Sequence, residues 1–498
     1  MNVNPITRLD YPDLDVIRVE DTYYMVSTTM HFMPGCEILQ SFDLVHWEHV
    51  TYVYEMLDHT DAQQLKSGQN IYGQGMWAAS LRYHEGRFYI CFVANDTRKT
   101  YLYTSEKIDG PWKKQLIEGF YHDGSLLFDE DGRNYIVYGN DEIWITELNE
   151  DLTAPKKDGL HRLLVSDHKN PELGYEGSHI QKINGYYYIF LVHSLRDRWM
   201  RTEACFYSDS LEGEFTGGDV LCDDRGYCGQ GVAQGGIVDT PDGKWYAMLF
   251  QDSGAVGRIP ILLPVTWKDH FPFFGQNGHV PEEIEVHSTR PGYIYQPLVG
   301  SDDFCNGLLP RWQFNHDPDP RYYHLDALQG TYTITTREVC TELTQAVNTL
   351  TQRMSYPSCA AEVTVDASAL KEGDVAGLCA LQSCYAAVGI TKHHGKYEVL
   401  MLDKKEDGIL DMTEGTVVES HQMDFRLEAD FCNMKDEARC YYRVNKGDWL
   451  PIGTVHKLYF KLDHFTGCRF GLFCYAAEET GGSACFRDFK YYDVDEIS

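Results

Sequence analysis

No apolar run in the 498-residue chain approaches the roughly 18 residues that a membrane span needs, and no stretch sustains a 3.6-residue apolar period. The first absence removes a membrane from the expected partners, and the second argues against a helical protein. The opening residues Met1–Pro5 carry neither a basic segment nor an apolar core, so no signal peptide and a cytoplasmic location are expected. None of the 15 cysteines lies in a CxxC pair, which takes away the usual spacing of zinc and thioredoxin-like sites. Their number is odd, so at least one is unpaired, and scattered reduced thiols are the expected state. Basic residues are scarce: 43 against 75 acidic ones leave a net charge of −32. Such a surface repels phosphate backbones and excludes nucleic acid from the expected partners, whereas a neutral ligand meets no such barrier.

Tyrosine and glycine are abundant, at 34 and 43 residues, which favours strands joined by tight turns. The turn-and-strand pattern of Asn184-Gly185-Tyr186-Tyr187-Tyr188 has four counterparts, ending at Tyr24, Tyr89, Tyr135 and Tyr246. The final tyrosines of the five copies follow one another at 65, 46, 53 and 58 residues, and each precedes an apolar run. Four short strands with their turns fill such a period. One four-stranded sheet per repeat, set radially, is a β-propeller blade, so five blades are expected.

Twelve residues before the last four of these tyrosines stand Trp77, Asp123, Glu176 and Gln234, and at the first copy Asp13 is adjacent to that place. The strand before each hairpin is the innermost in a blade, so these five residues should surround the axis at one end. A single aspartate in such a position ordinarily caps a turn or pairs with an arginine. Three carboxyls at matched positions are costly for folding alone, because like charges and partial burial raise one another's pKa. Carboxyls pushed apart in this way can divide the acid and base roles of glycoside hydrolysis, and an indole supplies a wall for a sugar ring. At the first blade Asp13 and Asp15 are both available for the base role.

At these residues the sequence resembles glycoside hydrolase family 43, near its β-xylosidase and α-L-arabinofuranosidase members. The resemblance runs through Tyr11-Pro12-Asp13, Met33-Pro34-Gly35, Trp77-Ala78, His122-Asp123-Gly124-Ser125-Leu126, Glu176-Gly177-Ser178-His179 and Ala255-Val256-Gly257-Arg258. It implies an inverting mechanism with Asp13 as general base, Glu176 as general acid and Asp123 as the residue that orients the acid and tunes its pKa. It also implies a substrate-binding set of Met30, Phe32, Trp77, Ala78, Gln234 and Arg258. Three positions depart from the family pattern. Asp13-Leu14-Asp15 stands where Asp-Pro-Ser is usual, Met30 stands for a pocket phenylalanine with Phe32 two places on, and Gln234 replaces a histidine that helps hold calcium. No cofactor is expected to be required, and calcium near the axis has only weak support. His31, His122 and His179 lie beside the motifs and are read as structural.

After Arg258 the apolar segment Ile259–Trp267 should finish the last blade, and a Gly/Pro-rich passage from Gly275 to Pro297 reads as a linker. Ala361–Asp366 and Lys457–Leu462 then alternate in period two, as strands with one buried face do. The expected architecture is therefore all-β: a five-bladed catalytic propeller over residues 1–298, then a concanavalin-like, jelly-roll β-sandwich over 299–498. The second domain is read as a lid or structural partner ahead of a glycan-binding role, and a homo-oligomer is left open. The function expected is exo-acting, inverting release of xylose from the non-reducing end of short β-1,4-xylo-oligosaccharides. The alternatives are an α-L-arabinofuranosidase that trims side chains and a non-catalytic glycan-binding propeller.

Overall fold

A computed structural model describes residues 3–413 and 415–493. Five four-stranded antiparallel sheets follow one another along the chain and form a propeller. Their innermost strands are Asp15–Val19, Met76–His84, Ser125–Phe128, Glu176–Ile183 and Val232–Asp239. Each packs on the next around the ring, and the fifth returns to the first. The repeated hairpins join the innermost strand of each blade to the second. At Glu85-Gly86 and Asn184-Gly185 both turn residues hold positive φ (48° and 79°, 51° and 85°), the geometry that matches the twist of the flanking strands.

Blade five ends otherwise than the sequence suggests. Arg258–Lys268 is its third strand, and a short fourth, Phe271–Phe274, completes it. The ring is fastened by the N-terminal segment. Asn4 donates to the Leu262 carbonyl at 2.7 Å and accepts from the Leu262 amide at 2.9 Å, while the Ile6 amide reaches the Pro260 carbonyl. Tyr11, Leu14 and Val16 then share a buried cluster with Tyr246, Met248 and Phe250, so apolar burial closes the joint between blades five and one.

Residues beyond the propeller form a sandwich of a nine-stranded and a seven-stranded sheet around a large apolar core. The nine-stranded sheet does not belong wholly to this domain. Its edge strand is Phe32–Met33 of blade one, which pairs with Gln313–Asn315. The two domains are therefore hydrogen-bonded through one sheet. Buried charges add to the joint: the Arg353 guanidinium donates to Glu37 at 2.8 Å and to the Asp10 carbonyl at 3.0 Å, and lies over the Tyr11 ring. The segment Lys457–Leu462, which alternates like a strand, is not one past Lys457. The chain leaves the sheet there and runs as a loop to Cys468. All fifteen cysteines are free thiols. No helix among the described residues is long and apolar enough to cross a membrane.

Candidate active site

The backbone at the start of each innermost strand aims side chains at the axis, by two devices. In blades one and three the strand begins late, and the residue two places ahead of it, Asp13 or Asp123, holds a positive φ of 51° or 47°. In blades two, four and five the strand begins earlier but its register slips, between Met76 and Ala79, Glu176 and His179, and Ala233 and Gly236. Bulges of this kind re-aim side chains next to active sites. They turn Trp77-Ala78, Glu176 and Gln234 inward. Gly177 holds φ 67°, and a Cβ there would meet Gln234 Cγ at 2.8 Å, so the neighbour of Glu176 has to be glycine.

Asp13 is buried with a donor on each oxygen: the Thr28 hydroxyl on Oδ2 at 2.7 Å and Arg258 Nη1 on Oδ1 at 2.9 Å. Arg258 is itself only 2% exposed and also donates to the Phe465 carbonyl at 3.3 Å. The Phe465 ring covers its guanidinium at 4.5 Å. Asp123 accepts the Gly177 amide at 3.0 Å, and Glu176 accepts the Asn140 side-chain amide at 2.7 Å. Burial is the largest influence on Asp123 and raises it, with the charges of Glu176 and Asp13 adding to the rise. His122 works in the opposite direction on Asp123. Its Nε2 lies 3.6 Å from Asp123 and 3.7 Å from Glu176. The Asp123 charge, helped by Glu176 and opposed by burial, lifts His122 to about 9, so at neutral pH an imidazolium bridges the two carboxyls.

The structure separates Asp13 from its rival. Asp15 is 1% exposed and accepts from Arg82 at 2.7 Å, His179 at 3.1 Å and the Leu81 amide at 2.8 Å. Burial alone would raise its pKa, but Arg82 and His179 reverse this and hold it at about 2. Asp15 and His179 are thus structural, deep in the ring. Phe32, expected in the pocket, is 2% exposed and packs instead between His31 and Arg469 at the domain joint, because its strand is recruited into the sandwich. Met30 is buried beside it, its backbone bridged to Met76. Trp77 meets His122 on one side and Phe465 on the other, at ring distances of 5.8 and 5.6 Å.

Several site residues escape the sequence reading. His122 is an electrostatic member of the carboxyl set; its position before Asp123 was the available signal. Asn140, which holds Glu176, and Phe465, a sandwich residue at the pocket, belong to no motif. Glu203 is fully buried and its carboxyl accepts the Gln234 amide at 2.7 Å, pinning the bulge of blade five.

Two donor sets bear on metals. His122, Asp123 and Glu176 offer one ligand atom each within 4.8 Å of one another, one imidazole and two carboxylates, and a metal held there would first have to displace the imidazole proton. Calcium near Gln234 would find one carboxamide and the Glu203 carboxyl, whose pKa burial raises well above the usual range. Calcium takes six to eight oxygens, ionised carboxylates among them, so these residues fit it poorly. At the opposite end of the axis a cavity of about 470 Å³ is lined by Arg18, Arg82, Lys182 and Trp245. Its basic groups are paired to Asp239, Asp15 and Asp129.

Residues 3–272 match the family model described as glycosyl hydrolases family 43, and residues 301–492 match that of the beta xylosidase C-terminal concanavalin A-like domain. A beta-xylosidase of Formosa agariphila is 26% identical over 99% of this chain and 89% of its own. A non-reducing end alpha-L-arabinofuranosidase of Bacteroides ovatus is 24% identical over 82% of this chain and 79% of its own. Among solved structures, a bifunctional GH43-CE protein of Bacteroides eggerthii superposes with a TM-score of 0.92 at 42% identity. That likeness covers 99% of this chain, which spans 64% of that longer protein.

Proposed function

The chain belongs to glycosyl hydrolases family 43, and from that premise we propose that it is an exo-acting, inverting hydrolase that releases xylose from the non-reducing end of short β-1,4-xylo-oligosaccharides. The observation that carries this is the unlike environment of Asp13 and Glu176, which stand at the starts of the innermost strands of blades one and four, at the same end of the propeller axis. Asp13 has both oxygens engaged by donors, so it serves as an acceptor-only carboxylate and suits the activation of water. Glu176 receives one amide, lies beside the His122–Asp123 pair and suits delivery of a proton to the leaving oxygen. Inversion requires room for a water between two such groups, and their places in the first and fourth blades leave it. Asp123, fixed by the Gly177 amide and His122, orients and tunes the acid.

Exo action is supported by the loop of the second domain. His464 stacks on Tyr72 at 3.8 Å, and Phe465 lies against Trp77 and Arg258, so one flank of the pocket is walled. A wall on that flank favours a chain end over the middle of a polymer. The second domain thus acts as a lid. Release of α-L-arabinofuranose is the second reading, favoured by Met30 in place of a bulkier pocket residue and by the arabinofuranosidase among the relatives. Hydrolysis of 4-nitrophenyl β-D-xyloside and α-L-arabinofuranoside decides between the two, with proton NMR of the first-formed anomer testing inversion. Turnover of neither glycoside, with xylobiose also untouched, would refute the reading.

A further inference from the structure

Arg201 opens the third strand of blade four, Arg201–Ser208, and no motif accounts for it. Its height in the blade follows from register. Glu176 pairs with Val192, Val192 with Glu203, and Arg201 lies two residues from Glu203 toward the mouth of the pocket, opposite Ser194. Being two residues apart, Arg201 and Glu203 share one face of the strand, and both reach blade five. Glu203 meets the Gln234 amide, and Arg201 Nε donates to Asp252 at 2.9 Å.

The guanidinium lies between two rings, Phe250 at 5.3 Å and Trp199 at 5.2 Å. The residue is 7% exposed, yet neither Nη carries a hydrogen bond among the described residues. The stem and Nε are enclosed while the two Nη groups stay open to solvent, so the fork presents free donors that a ligand entering from that side would meet. Burial works against its charge, and the carboxylates of Asp252, Glu176 and Asp13 more than offset this; its height beside Glu176 follows from the strand register. Trp199, in the loop just before it, is 43% exposed at the same mouth.

We propose that Arg201 and Trp199 form the subsite for the leaving sugar, the fork donating to a pair of adjacent hydroxyls while the indole lies against the ring. This rests on the assignment of Glu176 as acid. The group that receives the proton must project past Glu176 toward the mouth, and that path leads to Arg201. Asp13 and Arg258, across the ring, serve the sugar being released. A planar two-pronged donor suits a diol better than an ammonium does, and an exposed indole gives an apolar sugar face its platform.

The test compares xylobiose with 4-nitrophenyl β-D-xyloside in Arg201→Met, Arg201→Lys and Trp199→Ala proteins. The nitrophenyl group has no hydroxyls to bind. Arg201→Met should lower kcat/KM for xylobiose by roughly 10- to 10²-fold, at least ten times more than for the aryl glycoside, and mainly through KM. Arg201→Lys keeps the charge, so it should retain the wild-type pH profile and still lose the disaccharide preference. Trp199→Ala should shift the ratio in the same direction. Equal losses on both substrates would reduce Arg201 to an electrostatic or folding role, and no loss on either would remove it from the pocket; both results overturn the proposal. If the wild-type protein cleaved neither substrate, the hydrolase reading would fall by itself. Calorimetric titration with xylobiose would then decide the subsite, weaker binding by Arg201→Met supporting it and unchanged binding overturning it.

Discussion

His122 shows how one residue changes the character of a carboxyl cluster. Without it, the buried Asp123 would face the half-buried Glu176 with no neutralising charge between them, a costly arrangement. With its pKa lifted from 6.5 to about 9, the imidazolium contributes stability that is complete below pH 6.5 and is lost as pH rises through about 9. His122→Gln should therefore be less stable than wild type at pH 6 and similar to it at pH 10, as thermal unfolding at the two pH values would show. The same substitution takes a positive charge from the set, so the carboxyls protonate at higher pH. The alkaline limb of kcat/KM, which reports the general acid beside His122, should move up by about one unit. An unmoved limb would mean that His122 merely fills space. At this scale the sequence was half legible: the matched spacing marked the carboxyls, but nothing in a lone histidine tells which acid it will face.

At the scale of elements, the propeller was readable because each blade repeats a local signal, a turn followed by an aromatic strand. The bulges were not readable, since a register slip depends on which partner residue a strand meets, and that is settled by the neighbouring strand. The loop from Leu458 to Cys468 misled for a different reason. Leu458 is buried and Tyr459 and Phe460 are both half-buried, so an alternating apolar pattern here marks a loop lying on a domain joint and not a strand with one buried face. This loop carries Phe465 onto Arg258, a contact worth about 1–2 kcal/mol when desolvated. Phe465→Ala should reduce kcat/KM for xylobiose by about 3- to 30-fold. With that wall opened, it should also raise activity on polymeric xylan relative to xylobiose. A ratio of polymer to disaccharide activity equal to that of wild type would remove the loop from any role in chain-length selection.

For the whole molecule, the two domains are joined by backbone and by charge: a strand of blade one completes a sheet of the sandwich, and Glu37 is buried against Arg353. Burial would raise Glu37, but Arg353 and His49 more than reverse this and hold it at about 2, below its ordinary 4.5. The sign is that of a depressed carboxyl: its contribution is complete above pH 4.5 and is lost as pH falls toward 2, amounting to about 3 kcal/mol. Glu37→Gln should lower the unfolding temperature at pH 7, and acid should destabilise it less steeply than wild type between pH 4.5 and 2. Parallel acid slopes for the two proteins would show that the joint does not depend on this charge. No single motif in the sequence announces the joint, since Glu37 and Arg353 are more than 300 positions apart and meet only when both domains are formed.

The proposed division of labour across the ring sets Asp13 as base against Glu176 as acid. The most direct measurement is the dependence of rate on leaving group in the Asp13→Ala and Glu176→Ala proteins, using xylobiose and 4-nitrophenyl β-D-xyloside. Removing the acid should cost on the order of 10²–10⁴ with xylobiose, whose leaving sugar needs the proton, and far less with nitrophenolate, which leaves with little help. Removing the base should damage both substrates alike, because every turnover needs the activated water. The account is contradicted if the leaving-group dependence appears in the Asp13 variant instead, or if Asp15→Ala abolishes turnover while Asp13→Ala retains it.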